Sequence, residues 1–156
     1  SLYHYFPGGK AAIAAAAVRE AGERVVKTLA QIAERTPSAS ELVRGHAELL
    51  ARWMAQSGYR DGCPMTTVLL ELAPRERAVA EAGRQAFRGR LEFLQERLET
   101  EGWPSARAAN LALLCTSALQ GALVQTRVER SAAPLQAVAD EIALLLGSRP
   151  HGPSER

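Results

Sequence analysis

Apolar residues recur along this chain at helical spacing, and turn-forming residues cut the recurrence into segments. Val18, Val25, Leu29 and Ile32 follow one another at 7, 4 and 3 positions, which puts them on one face of a helix over Lys10 to Arg35. Leu42, His46, Leu49 or Leu50, and Trp53 make the stripe of a second helix, from a start signal at Ser40 to Gln56. A short third helix is predicted over Pro64 to Leu72, with Pro64 at a first helical position. Pro74 breaks the pattern and opens a fourth helix reaching Glu101, striped by Val79, Phe87, Leu91, Leu94 and Leu98. Gly83 and Gly89 lie inside it. Each costs ~1 kcal/mol relative to Ala there, which points to close packing or a bend. A fifth helix is predicted from an N-cap at Ser105 to Arg130, with Leu111, Leu114, Ala118 and Gly121 marking a small and apolar face. A sixth starts at Pro134 and carries Leu135, Val138, Ile142 and Leu145 at 3-4-3 spacing, the seam of a helix pair. Sustained period-2 alternation is absent, so the expected class is all-α, a single domain of about six helices.

Composition sharpens this picture. The 156 residues include 29 Ala, 20 Leu and 17 Arg against 2 Lys, and the first three are strong helix formers. Aromatic residues are 5%, which argues against a β-sandwich. No apolar stretch approaches the ~20 residues of a membrane span, and the start lacks the basic-then-apolar pattern of a secretory signal. Cys63 and Cys115 are far apart with no CxxC spacing, so a reducing cytoplasm is the expected compartment. A net charge of +2 argues for no nucleic acid by itself.

Several enzymatic and metal chemistries are excluded by pattern. Gly8-Gly9-Lys10 is no phosphate-binding loop, because the first Gly position of that motif is His4 and the residue after Lys10 is Ala11. His46, Cys63 and Cys115 lie on separate elements without ligand spacing, so neither a metal nor a cofactor is expected. There is no GxSxG nucleophile motif.

The most specific signal is at the start. Ser1-Leu2-Tyr3-His4-Tyr5-Phe6, then Pro7-Gly8-Gly9-Lys10 and a long Ala-rich helix, resembles the TetR family of bacterial transcription regulators. Gly62-Cys63-Pro64-Met65, continuing through Leu69-Leu70-Glu71-Leu72-Ala73, is similar to its LmrA/YxaF-like subgroup. The resemblance implies that residues 1–9 end a helix-turn-helix, that about two and a half helices precede Ser1, and that the chain begins inside a longer one. It further implies that residues 10–147 form a ligand-binding and dimerisation domain; residues 148–156, rich in Gly, Pro and Ser, are expected to be a disordered tail. By the same resemblance Ser1, Tyr3, Tyr5 and Lys10 contact operator DNA, mainly its backbone. Tyr hydroxyls and Lys ammonium groups are good phosphate donors.

Two further sites are expected. A pocket between the first four helices, lined by His46, Trp53, Met65, Leu69, Phe87 and Leu91, would take a small, mainly apolar or aromatic effector, with His46 as its orienting polar group. Glu71 is a second polar candidate, although an Arg partner suits it better. A homodimer is expected through Leu114, Ser117, Ala118, Gly121, Val124, Val128, Leu135, Val138, Ile142 and Leu145 on the last two helices. Two other readings share parts of the pattern. A helical small-molecule carrier would have the pocket without a DNA role, and a helical dimeriser would have the bundle without the pocket.

Overall fold

The computed structural model describes residues 9–148. The expected contacts of Ser1, Tyr3 and Tyr5, and the tail beyond Ser148, lie outside the described residues. Within them the chain forms α1 (Gly9–Ala33), α2 (Ala39–Gln56), α3 (Pro64–Leu72), α4 (Arg77–Thr100), α5 (Ser105–Glu129) and α6 (Ala133–Gly147). The described residues contain six helices and no strand.

The starts of α1 and α6 fall one residue before the sequence expectation, and those of α2, α4 and α5 differ from it for local reasons. α2 is capped by Ser38, whose Oγ accepts a hydrogen bond from the Glu41 N–H at 3.2 Å. Ser38 and Glu41 have the spacing of a capping box, so Ser40 falls in the first turn. Ser40 instead donates its hydroxyl to the Ala143 carbonyl at 2.9 Å and ties α2 to α6. Residues 73–76 form a turn before α4, and the helix begins at Arg77 rather than at Pro74. α5 is preceded by Pro104 in extended conformation, and Ser105 is its first residue rather than its cap.

The packing has two apolar clusters. The larger joins α2, the C-terminal half of α4, α5 and α6 around Leu42, Leu98, Leu111, Leu119 and Leu135. The smaller joins the N-terminal half of α1 to α3 and α4 through Val18, Met65, Val79 and Ala86. α1 lies along α4, and α2 along α6. Small residues set the approach at two crossings. A Cβ on Gly22 of α1 would sit 2.5 Å from the Ala86 Cβ of α4, and one on Gly83 would sit 2.5 Å from Leu69 of α3. Gly83 therefore serves close packing, whereas Gly89 meets only an ordinary contact with Val26 at 3.5 Å.

The seam Leu135, Val138, Ile142 and Leu145 of α6 faces inward. Leu135 and Ile142 are buried in the chain's own core, and Val138 and Leu145 pack against it. The seam pairs helices within one chain, so the buried Leu135 and Ile142 are withdrawn from the expected interface, while Val138 and Leu145 stay half-buried at its edge. α5 is different. Against the sequence expectation, it is long and apolar enough to cross a membrane by length and composition alone, yet one side of it, with Leu111, Cys115 and Leu119, is core. Its other side leaves Leu114, Val124 and Val128 exposed, in line with Ser117 and Gly121.

A polar clamp fixes the α1–α2 turn. Arg97 donates from Nη2 to the Thr36 carbonyl at 2.9 Å and from Nε to Glu101 at 3.0 Å. Glu101 also accepts the Ala39 N–H. Arg97→Met leaves the Thr36 carbonyl without this donor and Glu101 with only the Ala39 N–H, and is expected to cost ~1–3 kcal/mol. A urea-unfolding midpoint unchanged from the parent would contradict that.

Candidate functional site

The two clusters do not meet flush. Val25 of α1 and Cys63, just before α3, border both, and a two-armed cleft opens at this junction. The inner arm, about 300 Å³, runs inward past His46, Met54 and Met65 to Arg90 of α4 and Gln120 of α5. The outer arm, about 520 Å³, opens between α1 and α2 beside Ala21, Val25, Leu50 and Trp53. Val25, His46, Leu50, Trp53, Cys63, Pro64 and Met65 line both arms. The volumes fall in or near the range of small-molecule sites, and the walls are mainly apolar.

His46, Trp53 and Met65 are thus brought together. His46 and Met65 are buried, whereas Trp53 is 47% exposed and stands at the mouth. Leu69, Phe87 and Leu91 are not brought there. They line a separate open groove on the far side of α4, with Arg84 and Gln95. The reason is the orientation of α4. Its buried stripe is Val79, Ala82, Gly83, Ala86, Arg90, Leu94 and Leu98, so the large apolar Phe87 and Leu91 sit beside it and an arginine sits in it. Glu71 is exposed and lines neither arm.

Arg90 is the residue that sequence reasoning missed. It is only 4% exposed, and its Nε has no hydrogen-bond partner among the described residues. The signal was present: in the small-residue run of α4, position 90 continues Val79, Ala86 and Leu94 at helical spacing. Burial pulls the guanidinium pKa down, partly offset by the nearby Cys63 and Cys115. Gln120 was also missed. It accepts the Thr66 hydroxyl hydrogen bond at 3.0 Å and donates to the Cys63 Sγ at 3.8 Å. The start of α3 is therefore tethered to α5.

The His46 imidazole is neutral at pH 7. Burial, and then the charge of Arg90, hold its pKa down to about 3 from 6.5. The folded value lies below the unfolded one. Stability from the neutral ring is therefore present above pH 6.5 and is lost as pH falls from 6.5 towards 3. The slope is at most ~1.4 kcal/mol per pH unit. His46→Gln is expected to flatten the loss of stability between pH 6.5 and 5, measured by urea unfolding; an identical slope in both proteins would contradict a neutral buried His46. Burial also raises the Cys115 thiol to about 11, which leaves it inert at neutral pH.

Lys10 is exposed in the first turn of α1. Among the described residues no three His, Cys, Asp or Glu side chains converge as a metal site.

Residues 39–141 match the C-terminal domain of the LmrA/YxaF-like transcriptional regulators, a TetR-type family. The chain is 33% identical over 151 residues to an HTH-type transcriptional regulator of Mycobacterium tuberculosis, covering 94% of this chain and 76% of that one. It is 23% identical over 146 residues to the HTH-type transcriptional regulator LmrA of Bacillus subtilis, covering 94% of this chain and 78% of LmrA. YxaF of the same organism is 23% identical over 146 residues, covering 94% of this chain and 76% of YxaF. The fold and these matches define a transcriptional regulator of TetR type. The chain belongs to the LmrA/YxaF-like family.

Proposed function

We propose that this protein is a homodimeric repressor whose hold on operator DNA is released by a small, mainly apolar effector bound in the two-armed cleft. The observation that carries the reading is the cleft itself. It places one neutral polar group, His46, in an apolar wall beside an aromatic ring at the mouth, the arrangement by which pockets orient a ligand. Residues 10–147 are the sensing and dimerising part, and residues 1–9 belong to the DNA-reading part. No catalytic role is assigned to any side chain.

α1 is the lever. It spans ~38 Å at 1.5 Å per residue, lines the outer arm through Val25 and carries Lys10 at its other end. An effector wedged between α1 and α2 favours the α1 position that opens the cleft. It shifts the equilibrium by its differential affinity for the two positions and by nothing else. Exposed Lys10 contacts backbone phosphate, where the helix N-terminus also favours an anion. The dimer forms through Leu114, Ser117, Ala118, Gly121, Val124 and Val128 of α5.

Tryptophan fluorescence tests the pocket. Trp103 is buried in the core, so quenching by a ligand reports Trp53. A ligand that relieves DNA binding is expected to quench the parent. Its affinity is expected to fall with Trp53→Ala, and by ~1 kcal/mol or more with His46→Ala, where a ligand polar group loses its partner. Relief of DNA binding by compounds that leave Trp53 unquenched would overturn the assignment.

A further inference from the structure

We propose that the effector is a monocarboxylate: an apolar or aromatic body with one acidic group that docks on Arg90 at the inner end of the cleft. This rests on the cleft being the effector site. Arg90 is 4% exposed, its buried Nε lacks any hydrogen-bond partner, and it lines the inner arm. The four ion pairs among the described residues join other partners. Two carboxylates stand on the cleft rim, and both are exposed. Asp61 flanks the inner arm without reaching Arg90, and Glu20 on the outer arm is bonded to Arg24 at 2.6 Å. Cys63 and Cys115, the other titratable groups near the guanidinium, are free thiols, and burial keeps Cys115 protonated.

A buried arginine is ordinarily paired, because a charge taken out of water without a counter-ion is unfavourable. Among the described residues no counter-ion is present, so the cleft offers the place from which one can come. The guanidinium presents a planar fork of donors that fits a carboxylate with two parallel hydrogen bonds. The charge balance sets the class further. Neutral His46 adds no second cation, so one negative charge is compensated and a phosphate dianion is not. His46 remains able to give or take one hydrogen bond from a second polar atom of the ligand. Leu50, Trp53, Pro64 and Met65 then cover the apolar body.

Calorimetric titration at pH 7.5 tests this with 4-butylbenzoate, biphenyl-4-carboxylate and decanoate, each beside its primary amide, and with 4-butylphenyl phosphate. The parent protein is expected to bind at least one acid 30-fold or more tightly than its amide and than the phosphate. Arg90→Met is expected to abolish that preference, and Arg90→Lys to keep part of it. Unliganded Arg90→Met is expected to melt no lower than the parent, since the charge removed had no partner. Equal binding of acids and amides would overturn the carboxylate assignment and leave the cleft as a site for neutral effectors. Tighter binding of the phosphate would overturn the single-charge argument. Binding of no compound in either series would overturn both the assignment and the cleft as effector site. A melting temperature of Arg90→Met well below the parent would show a structural partner for Arg90 and overturn the proposal independently of any ligand.

Discussion

Gly121→Arg is expected to convert a dimer into a folded monomer. The exposed side of α5 carries Leu114, Ser117, Gly121, Val124 and Val128 at alternating 3 and 4 spacings, and no charged residue occurs between Arg107 and Arg127. Val124 is 55% exposed and Val128 78%, an apolar stripe that a lone chain leaves in water. Obligate dimers commonly bury ~2,000 Å² or more in total, and in the proposed dimer a two-fold axis at Gly121 would bring the two stripes together. An arginine there would face its own copy across the axis. Within one chain a Cβ at Gly121 has nothing within 4 Å, so the substitution has no intrachain clash to relieve. Light scattering at micromolar concentration is expected to give twice the chain mass for the parent and the single mass for the variant, with unchanged helical circular dichroism. A monomeric parent would remove the basis of the interface.

Gly22→Ala is the second large effect, and its sign is informative. In an exposed helix interior this change gains ~1 kcal/mol from propensity alone. Here the new methyl would lie 2.5 Å from the Ala86 Cβ and 2.9 Å from its Cα, and backbone cannot step aside as a flexible side chain can. α1 must lift from α4, and overpacking of this kind costs ~1–3 kcal/mol. The melting temperature is expected to fall by ~2–4 °C per kcal/mol for a chain of this size. Gly89→Ala, whose nearest neighbour is Val26 at 3.5 Å, is expected to be neutral or stabilising. Because α1 also lines the cleft, a lifted α1 in Gly22→Ala should alter ligand affinity while Gly89→Ala does not. A stabilised Gly22→Ala would mean that α1 and α4 are not held in this close crossing.

The six helices were legible because Gly and Pro punctuate them and their apolar positions recur at helical spacing. What escaped was which partner each face meets. The 3-4-3 seam of α6 announces a helix pair, but nothing in the spacing says whether the partner is α2 of the same chain or a second copy. On α4 the large residues Phe87 and Leu91 drew attention from a stripe of Ala, Gly and Arg. That stripe is buried because small residues admit α1 and α3 closely. His46, Trp53 and Met65 were legible as pocket candidates because a polar or bulky residue interrupts an otherwise ordinary stripe. Arg90 and Gln120 were not, since a single charge or amide on a helix is most often solvated, and only the fold shows these two turned inward. The start of α2 was misplaced because Ser38 and Ser40 offer equal capping chemistry two residues apart, and their hydrogen bonds alone tell them apart.

Occupying the cleft is proposed to move α1 and thereby to reset the DNA-reading parts of the dimer. The most direct measurement is the distance between the two copies of position 10. A spin label introduced there as a non-natural residue avoids reaction at Cys63 and Cys115. Pulsed electron resonance would be recorded on the dimer with and without a compound that quenches Trp53. The expected result is a displaced distance distribution on ligand binding, with the shift lost in Trp53→Ala at the same ligand concentration. A distribution that stays in place while Trp53 is fully quenched would contradict the claim, because the cleft would then be filled without moving the lever.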